Sequence, residues 1–228
     1  MKISKNDLSM LQHFASVNTS VFLKPGKVQT TISGNKTILC KNDFEMDWPV
    51  ECGIYDLPHF LTVLNTISST GEEAELEFVE GNQCLIVKNN LSTQDIRFCD
   101  PSLLVRPPEE AVELPSTDLR FSITKNFLEM VRKGCSVNNF PNLVLEGDRS
   151  VIKLVATDSK NPASERFVVN TNMETTSKFR ISFTVSHLKL IPDDYVVAIS
   201  QQGLSHWKST KGSFEAWVSP DPDILFEQ

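Results

Sequence analysis

The amino-acid sequence predicts an α+β protein of two similar halves, each with two helices packed on antiparallel sheets. Three observations support this. A helix-period segment followed by about three short strand-like segments recurs four times along the 228 residues. A stretch at 100–115 with four prolines and three glutamates divides the chain near its middle, and such a composition suits neither a helix nor a central strand. The regular strand–helix alternation of a doubly wound parallel sheet is missing.

In the first half, residues 4–14 read as a helix. Ser4 and Asp7 stand at capping-box spacing, and Leu8, Leu11 and Ala15 form an apolar stripe with Phe14 beside it. Strands are expected at 20–24, 28–33 and 36–41, separated by the turn signals Pro25-Gly26 and Gly34-Asn35. A second helix fits 56–67, with Asp56 as its cap and Leu57, Phe60, Leu61 and Leu64 on one face. Strands follow at 74–80, 84–88 and 93–99, with turns at Gly81-Asn82 and Asn89-Asn90.

The second half repeats the scheme. A strand at 119–123 leads to Thr124, placed to cap a helix over 125–133 that Gly134 would end. Strands are expected at 143–147, 151–157, 165–170 and 178–184, then a short helical turn at 185–190 closed by Pro192. The last strands fall at 195–200, 204–208 and 214–218, and an acidic, proline-bearing tail follows. The expected domains are therefore 1–100 and 116–228, joined by a connector at 101–115.

The formal net charge is −7, from 22 basic and 29 acidic residues. That balance opposes a protein coated all over with nucleic acid or anionic lipid, while leaving room for a local basic patch. The four helical segments carry formal charges of +1, −1, +2 and +1, so the remainder carries −10. The five cysteines fit neither a disulfide framework nor a zinc pattern and read as small buried hydrophobes of a reducing compartment. No signal peptide and no membrane span are expected, since no apolar run approaches the length of either.

Motifs for chemistry are sparse. Gly71, Gly81 and Gly147 are isolated glycines rather than a phosphate loop, and no Gly-x-Ser-x-Gly elbow occurs. His13, His59, His187 and His206 stand too far apart for a metal motif. Asp56 and His59 could share a helix face as an acid–base pair, but a helix cap and a half-exposed side chain account for them better. Asp193-Asp194 and Asp221 with Asp223 read as a solvated turn and tail before they read as cation sites. No catalytic residue, metal or cofactor is therefore expected, and the chain is read as a non-enzyme that holds other macromolecules.

Several stretches together resemble the DNA polymerase sliding clamps of T4-like phages. They are Met1-Lys2-Ile3-Ser4-Lys5 with Leu11 and Phe14-Ala15; Ile54-Tyr55-Asp56-Leu57 with Phe60-Leu61; and Phe183 followed by Leu188-Lys189-Leu190, Pro192 and Tyr195. Their order and spacing, rather than any single motif, carry the likeness. Asp193-Asp194 departs from the Pro-Gly-Asn turn the pattern leads one to expect.

The resemblance implies a DNA-clamp fold and a ring-shaped homotrimer in the cytoplasm of an infected bacterial host. It implies double-stranded DNA through the ring, the replicative polymerase and an ATP-driven clamp loader as partners, and the transcription machinery as a further one. On this reading Lys2, Lys5, Lys125, Arg132, Lys133 and Lys189 face the DNA. Leu103, Leu104, Val105, Tyr195, Val196, Trp217 and Val218 would line a pocket for a partner's peptide. Subunits would join through the strand at 84–88 or its neighbour and the strand at 143–147 or its neighbour. A phage tail or baseplate-like structural protein and a monomeric peptide-binding module remain alternative readings.

Overall fold

The structure, a computed structural model, describes residues 1–69, 74–79 and 83–227. It divides into two compact units, Met1–Glu109 and Glu110–Gln228.

Unit 1 begins with helix α1, Lys5–Val17. The Ser4 hydroxyl caps it by accepting the Asp7 N–H at 3.1 Å. The reciprocal half of a capping box is not made. Asp7 is only 2% exposed, and its carboxylate turns away to accept the N–H groups of Glu45 at 2.8 Å and Met46 at 2.9 Å.

Those groups belong to β3 (Ile38–Trp48), which follows β1 (Val21–Leu23) and β2 (Gly26–Ile32). Gly26 pairs with Trp48 and Val28 with Asp43, so residues 44–47 of β3 oppose Lys27 alone. This bulge leaves N–H groups of β3 without partners in β2, and Asp7 supplies acceptors for two of them. β3 is longer than the expected strand. Its second part buries Phe44, Met46 and Trp48 and exposes Asp43, Glu45 and Asp47 between them. β4 (Cys52–Ile54), not anticipated from sequence, pairs antiparallel with β1.

Helix α2 (Leu57–Ser68) starts at Asp56, whose Oδ1 accepts the His59 N–H at 2.9 Å. It packs against α1 and buries Leu57, Phe60, Leu61, Val63, Leu64 and Ile67. β5 (Glu75–Phe78), β6 (Cys84–Lys88) and β7 (Thr93–Arg97) form a sheet in that order. The outer side of β5 is occupied by the N-terminal residues: the Leu76 N–H donates to the Met1 carbonyl at 2.6 Å, and Lys2 bridges to Glu75. The anticipated turn Gly81-Asn82, and Gly71, lie outside the described residues.

Unit 2 contains β8 (Leu119–Ile123), α3 (Lys125–Asn138), β9 (Asn142–Asp148), β10 (Val151–Thr157), β11 (Phe167–Glu174) and β12 (Lys178–Thr184). β13 (Tyr195–Ser200), β14 (Leu204–Ser209), β15 (Glu215–Val218) and β16 (Leu225–Glu227) complete it. One sheet runs β11-β10-β9-β12-β16, and a second set runs β15-β14-β13-β8. Trp207 is fully buried, with the rings of Phe183 and Tyr195 edge-on at 5.8 and 6.1 Å.

Four sequence expectations change here. Helix α3 continues through Gly134 and ends at Asn139, which adopts the left-handed conformation at φ 54°. Gly134 is needed for space rather than for a stop: a Cβ there would lie 2.2 Å from the Phe167 ring. Thr124 makes no side-chain cap bond, and Asp194 replaces it by accepting the Lys125 N–H at 2.8 Å. The expected helix at 185–190 is a single 3₁₀ turn, Val185–His187. Leu188 and Leu190 are both buried, at strand rather than helix spacing, so unit 2 has one α-helix among its described residues. Finally, the tail ends in β16, which pairs with β12. Asp221 anchors it by accepting bonds from Asn142, Ser182 and Thr184 at 2.6–3.0 Å.

Within the first of these sheets the Phe179 ring lies over Gly147 of the neighbouring strand. A Cβ on Gly147 would stand 2.4 Å from that ring. Phe179 is 4% exposed and cannot swing into solvent. Gly147→Ala is therefore expected to destabilise unit 2 by about 1–3 kcal/mol through overpacking, outweighing the entropy gained by removing a strand glycine. Urea unfolding measures this, and an unchanged midpoint would show that the ring relocates freely.

Candidate nucleic-acid interface and partner groove

The exposed sides of the three α-helices carry little acid. α1 exposes Lys5, Asn6, Ser9, Gln12 and Ser16, its one carboxylate, Asp7, being buried. α2 exposes Pro58, His59, Thr62, Asn65 and Thr66, with acid only at the cap. α3 exposes Lys125 and Lys133, and its one carboxylate, Glu129, pairs with Lys125 at 3.6 Å. Carboxylates crowd the strands instead: Asp43, Glu45 and Asp47 on β3, Glu75 and Glu77 on β5, and Asp95 on β7 are all exposed. Lys5 and Lys133 make no ion pair among the described residues.

The remaining candidate cations sit differently. Arg132 is half-buried. Its guanidinium donates to the Leu188 carbonyl and, at 3.3 Å, to that of Leu190. Burial pushes its pKa down from the ordinary arginine value. It fastens the segment after the 3₁₀ turn to α3, which makes it a positioning residue rather than a presented charge. Lys189 lies half-buried between Leu188 and Leu190, and Lys2 lies beside β5 rather than on a helix.

The connector residues form a groove within unit 1. Leu104 is 8% exposed and packs onto Gly53, where a Cβ would meet its Cδ1 at 3.1 Å. Beside it a cavity of about 330 Å³ is lined by Phe22, Lys24, Thr30, Leu104, Arg106 and Pro107 among others. The Arg106 guanidinium stands 5.6 Å from the centroid of the Phe22 ring. Leu103 and Val105 are exposed at 66% and 40%.

Known proteins resemble the chain over most of its length. The family described as DNA polymerase processivity factor matches residues 4–105. The sliding clamp of Vibrio phage KVP40 is 27% identical over 216 residues, covering 91% of this chain and 94% of that protein. The sliding clamp of Escherichia phage RB69 is 23% identical, covering 87% of each. The chain is similar to the phage DNA polymerase sliding clamps over most of its length. Among solved structures, the PCNA of A. fulgidus bound to the C-terminal region of FEN-1 superposes with a TM-score of 0.64. That match has 14% identity, covers 94% of both chains and supports the fold.

Two of the expected pocket residues are ruled out by burial. Tyr195 and Val218 are 0% exposed and belong to the core, Tyr195 donating its hydroxyl to the Ile191 carbonyl at 2.7 Å. Trp217 is half-buried and stacked on His206 at 4.6 Å, and Val196 is half-buried on β13. Phe22, Lys24 and Arg106 escape a reading of the sequence, because strand β1 and the connector lie some eighty residues apart. The one available signal is Arg106 followed by Pro107-Pro108, a cation on a stiffened segment.

Asp193, Asp194 and Asp221 have structural roles. The Lys125 N–H, and after it Lys211, hold the Asp194 carboxyl below the usual carboxylate range. Asp193 accepts the Ser209 hydroxyl. No cluster of three metal-ligating side chains occurs among the described residues.

Proposed function

We propose that the chain closes head to tail into a homotrimeric ring around duplex DNA and tethers the replicative polymerase there. An ATP-driven loader would place the ring in the cytoplasm of the infected host, and the clamp itself would catalyse nothing. The observation that carries this reading is the charge on the helices: their exposed sides present Lys5, Lys125 and Lys133 with little acid against them, in a chain of net charge −7. Lysines on an inner helical wall would hold DNA by its phosphates without reading bases, while acidic strands would repel it outside.

Lys5, Lys125 and Lys133 are the main DNA-facing groups, with Lys2 and Lys189 beside them. The groove at Phe22, Leu104 and Arg106, with Leu103 and Val105 at its rim, would seat a partner's peptide of polymerase, loader or transcription machinery. Lys24 and Arg106 against Glu109 leave the groove a net positive charge, which suits an apolar anchor with an acidic flank.

Ring closure needs open sheet edges. The strand at 84–88, β6, is paired on both sides, and so is β9 at 142–148. β7 and β11 are the end strands of their sheets, and β11 carries Phe167 and Val168 at 37% and 42% exposure. Pairing β7 of one subunit with β11 of the next would cover both.

The test is retention on nicked circular DNA after loading with ATP. Linearising the DNA should release the protein through the free ends, and retention after linearisation would refute encirclement. Lys133→Ala is expected to lower the salt slope of DNA association by about 0.9 for each phosphate that the lysine neutralises in the parent. Thermal unfolding should not change, and an unaltered slope would remove Lys133 from the interface.

A further inference from the structure

Helix α2 differs in kind from α1 and α3. Its exposed side carries no lysine or arginine, and its exposed hydroxyls are spent on its own backbone. Thr62 Oγ1 donates to the Pro58 carbonyl at 2.9 Å, Thr66 Oγ1 to Thr62 at 2.8 Å and, at the end of the helix, Ser69 Oγ to Thr66 at 2.6 Å. Each hydroxyl owns one hydrogen. With that hydrogen turned inward, only lone pairs point out, and a phosphate oxygen cannot bond to them.

The helix start is closed to anions as well. A free N-terminus would attract a phosphate through its unpaired N–H groups. Here the Asp56 carboxylate already takes the His59 N–H and adds a negative charge at that end. Threonine is a modest helix former, so these residues are a poor choice if helix stability were the aim. Asn65 and His59 are the polar side chains left facing outward.

We infer that α2 is a low-friction sector of the DNA-facing wall, built to avoid holding phosphates, so that grip is concentrated on Lys5 of α1 and Lys125 and Lys133 of α3. This rests on the ring reading above. A ring must be retained by topology yet move freely, and every added phosphate contact raises the barrier between successive positions on the duplex. A wall with charge on some helices and none on others keeps the number of simultaneous phosphate bonds small.

The experiment tracks single loaded trimers on stretched DNA and compares the full-length parent with Asn65→Lys and Thr62→Lys. Asn65 is exposed and makes no bond among the described residues, so Asn65→Lys should leave folding intact; circular dichroism checks this. Ser122→Lys, on the exposed side of β8, adds the same charge to a sheet. Both α2 variants should diffuse several-fold more slowly than the parent at about 50 mM salt, and the gap should narrow at about 200 mM as phosphate contacts are screened. Ser122→Lys should diffuse like the parent. Parental diffusion in both α2 variants, or equal slowing in Ser122→Lys, would overturn the inference while leaving encirclement standing. A parent that is not shed when the DNA is linearised would overturn the ring reading and the inference with it.

Discussion

Asp7→Ala is expected to cost unit 1 about 2–4 kcal/mol, because it strands two strand N–H groups inside the protein. The carboxylate is 2% exposed and accepts the N–H groups of Glu45 and Met46 on its two oxygens. In β3 these donors fall within the bulge opposite Lys27, where strand β2 offers no regular partner. Alanine would also remove the buried tie between the first turn of α1 and the sheet, leaving the exposed bond in which Asn6 Nδ2 donates to Glu45 Oε1 at 2.6 Å. Asp7→Asn keeps one acceptor oxygen and should lose about half as much. Urea unfolding of the two variants measures both numbers. A loss below about 1 kcal/mol in Asp7→Ala would mean that water enters the bulge and satisfies the donors.

Asp7 also shows where sequence reasoning reaches its limit. Its spacing from Ser4 correctly marks the start of a helix, because the Ser4 cap is a local contact. The destination of its own carboxylate is 38 residues away and leaves no trace in local spacing. The same division runs through the chain. β6, β8, β10, β12 and β13 are legible to the residue, because each alternates or masses apolar side chains over five to seven positions.

β4 and β16 are three-residue strands with little pattern of their own; β1, equally short, is legible because Pro25-Gly26 closes it. The late part of β3 is hidden because its exposed positions are all acidic, although Phe44, Met46 and Trp48 keep strict alternation. The turn at 185–190 looks helical from its apolar content, yet Leu188 and Leu190 are buried at a period of two.

Site residues divide on the same physics. Lys5, Lys125 and Lys133 can be read from helix periodicity, since exposure on an amphipathic helix is a local property. Arg132 cannot, because its carbonyl partners lie 56 and 58 residues away. Tyr195 and Val218 look like pocket walls because a strand pattern tells which residues share a face, but not which of two faces a second layer covers.

The strand edges carry the last expectation: Val168→Glu should convert the proposed trimer, about 77 kDa, into a 25.6 kDa monomer that keeps the circular dichroism spectrum of the folded subunit. Val168 sits on β11, which pairs only with β10 among the described strands, and its side chain is 42% exposed. A glutamate there meets solvent in the monomer and costs the fold little. At the proposed joint it would be buried against β7, where Asp95 is exposed in the monomer. An unpaired carboxylate taken out of water costs several kcal/mol, and like charges across a strand pair add to this. The penalty recurs at each of the three joints of a closed ring. Light scattering after gel filtration, with parent and variant at one concentration, reads the outcome. Adding Asp95→Lys to Val168→Glu should restore the trimer by turning repulsion into attraction. A trimer that survives Val168→Glu would move the joint away from β11. A monomer that Asp95→Lys does not rescue would keep β11 at the joint and take β7 out of it.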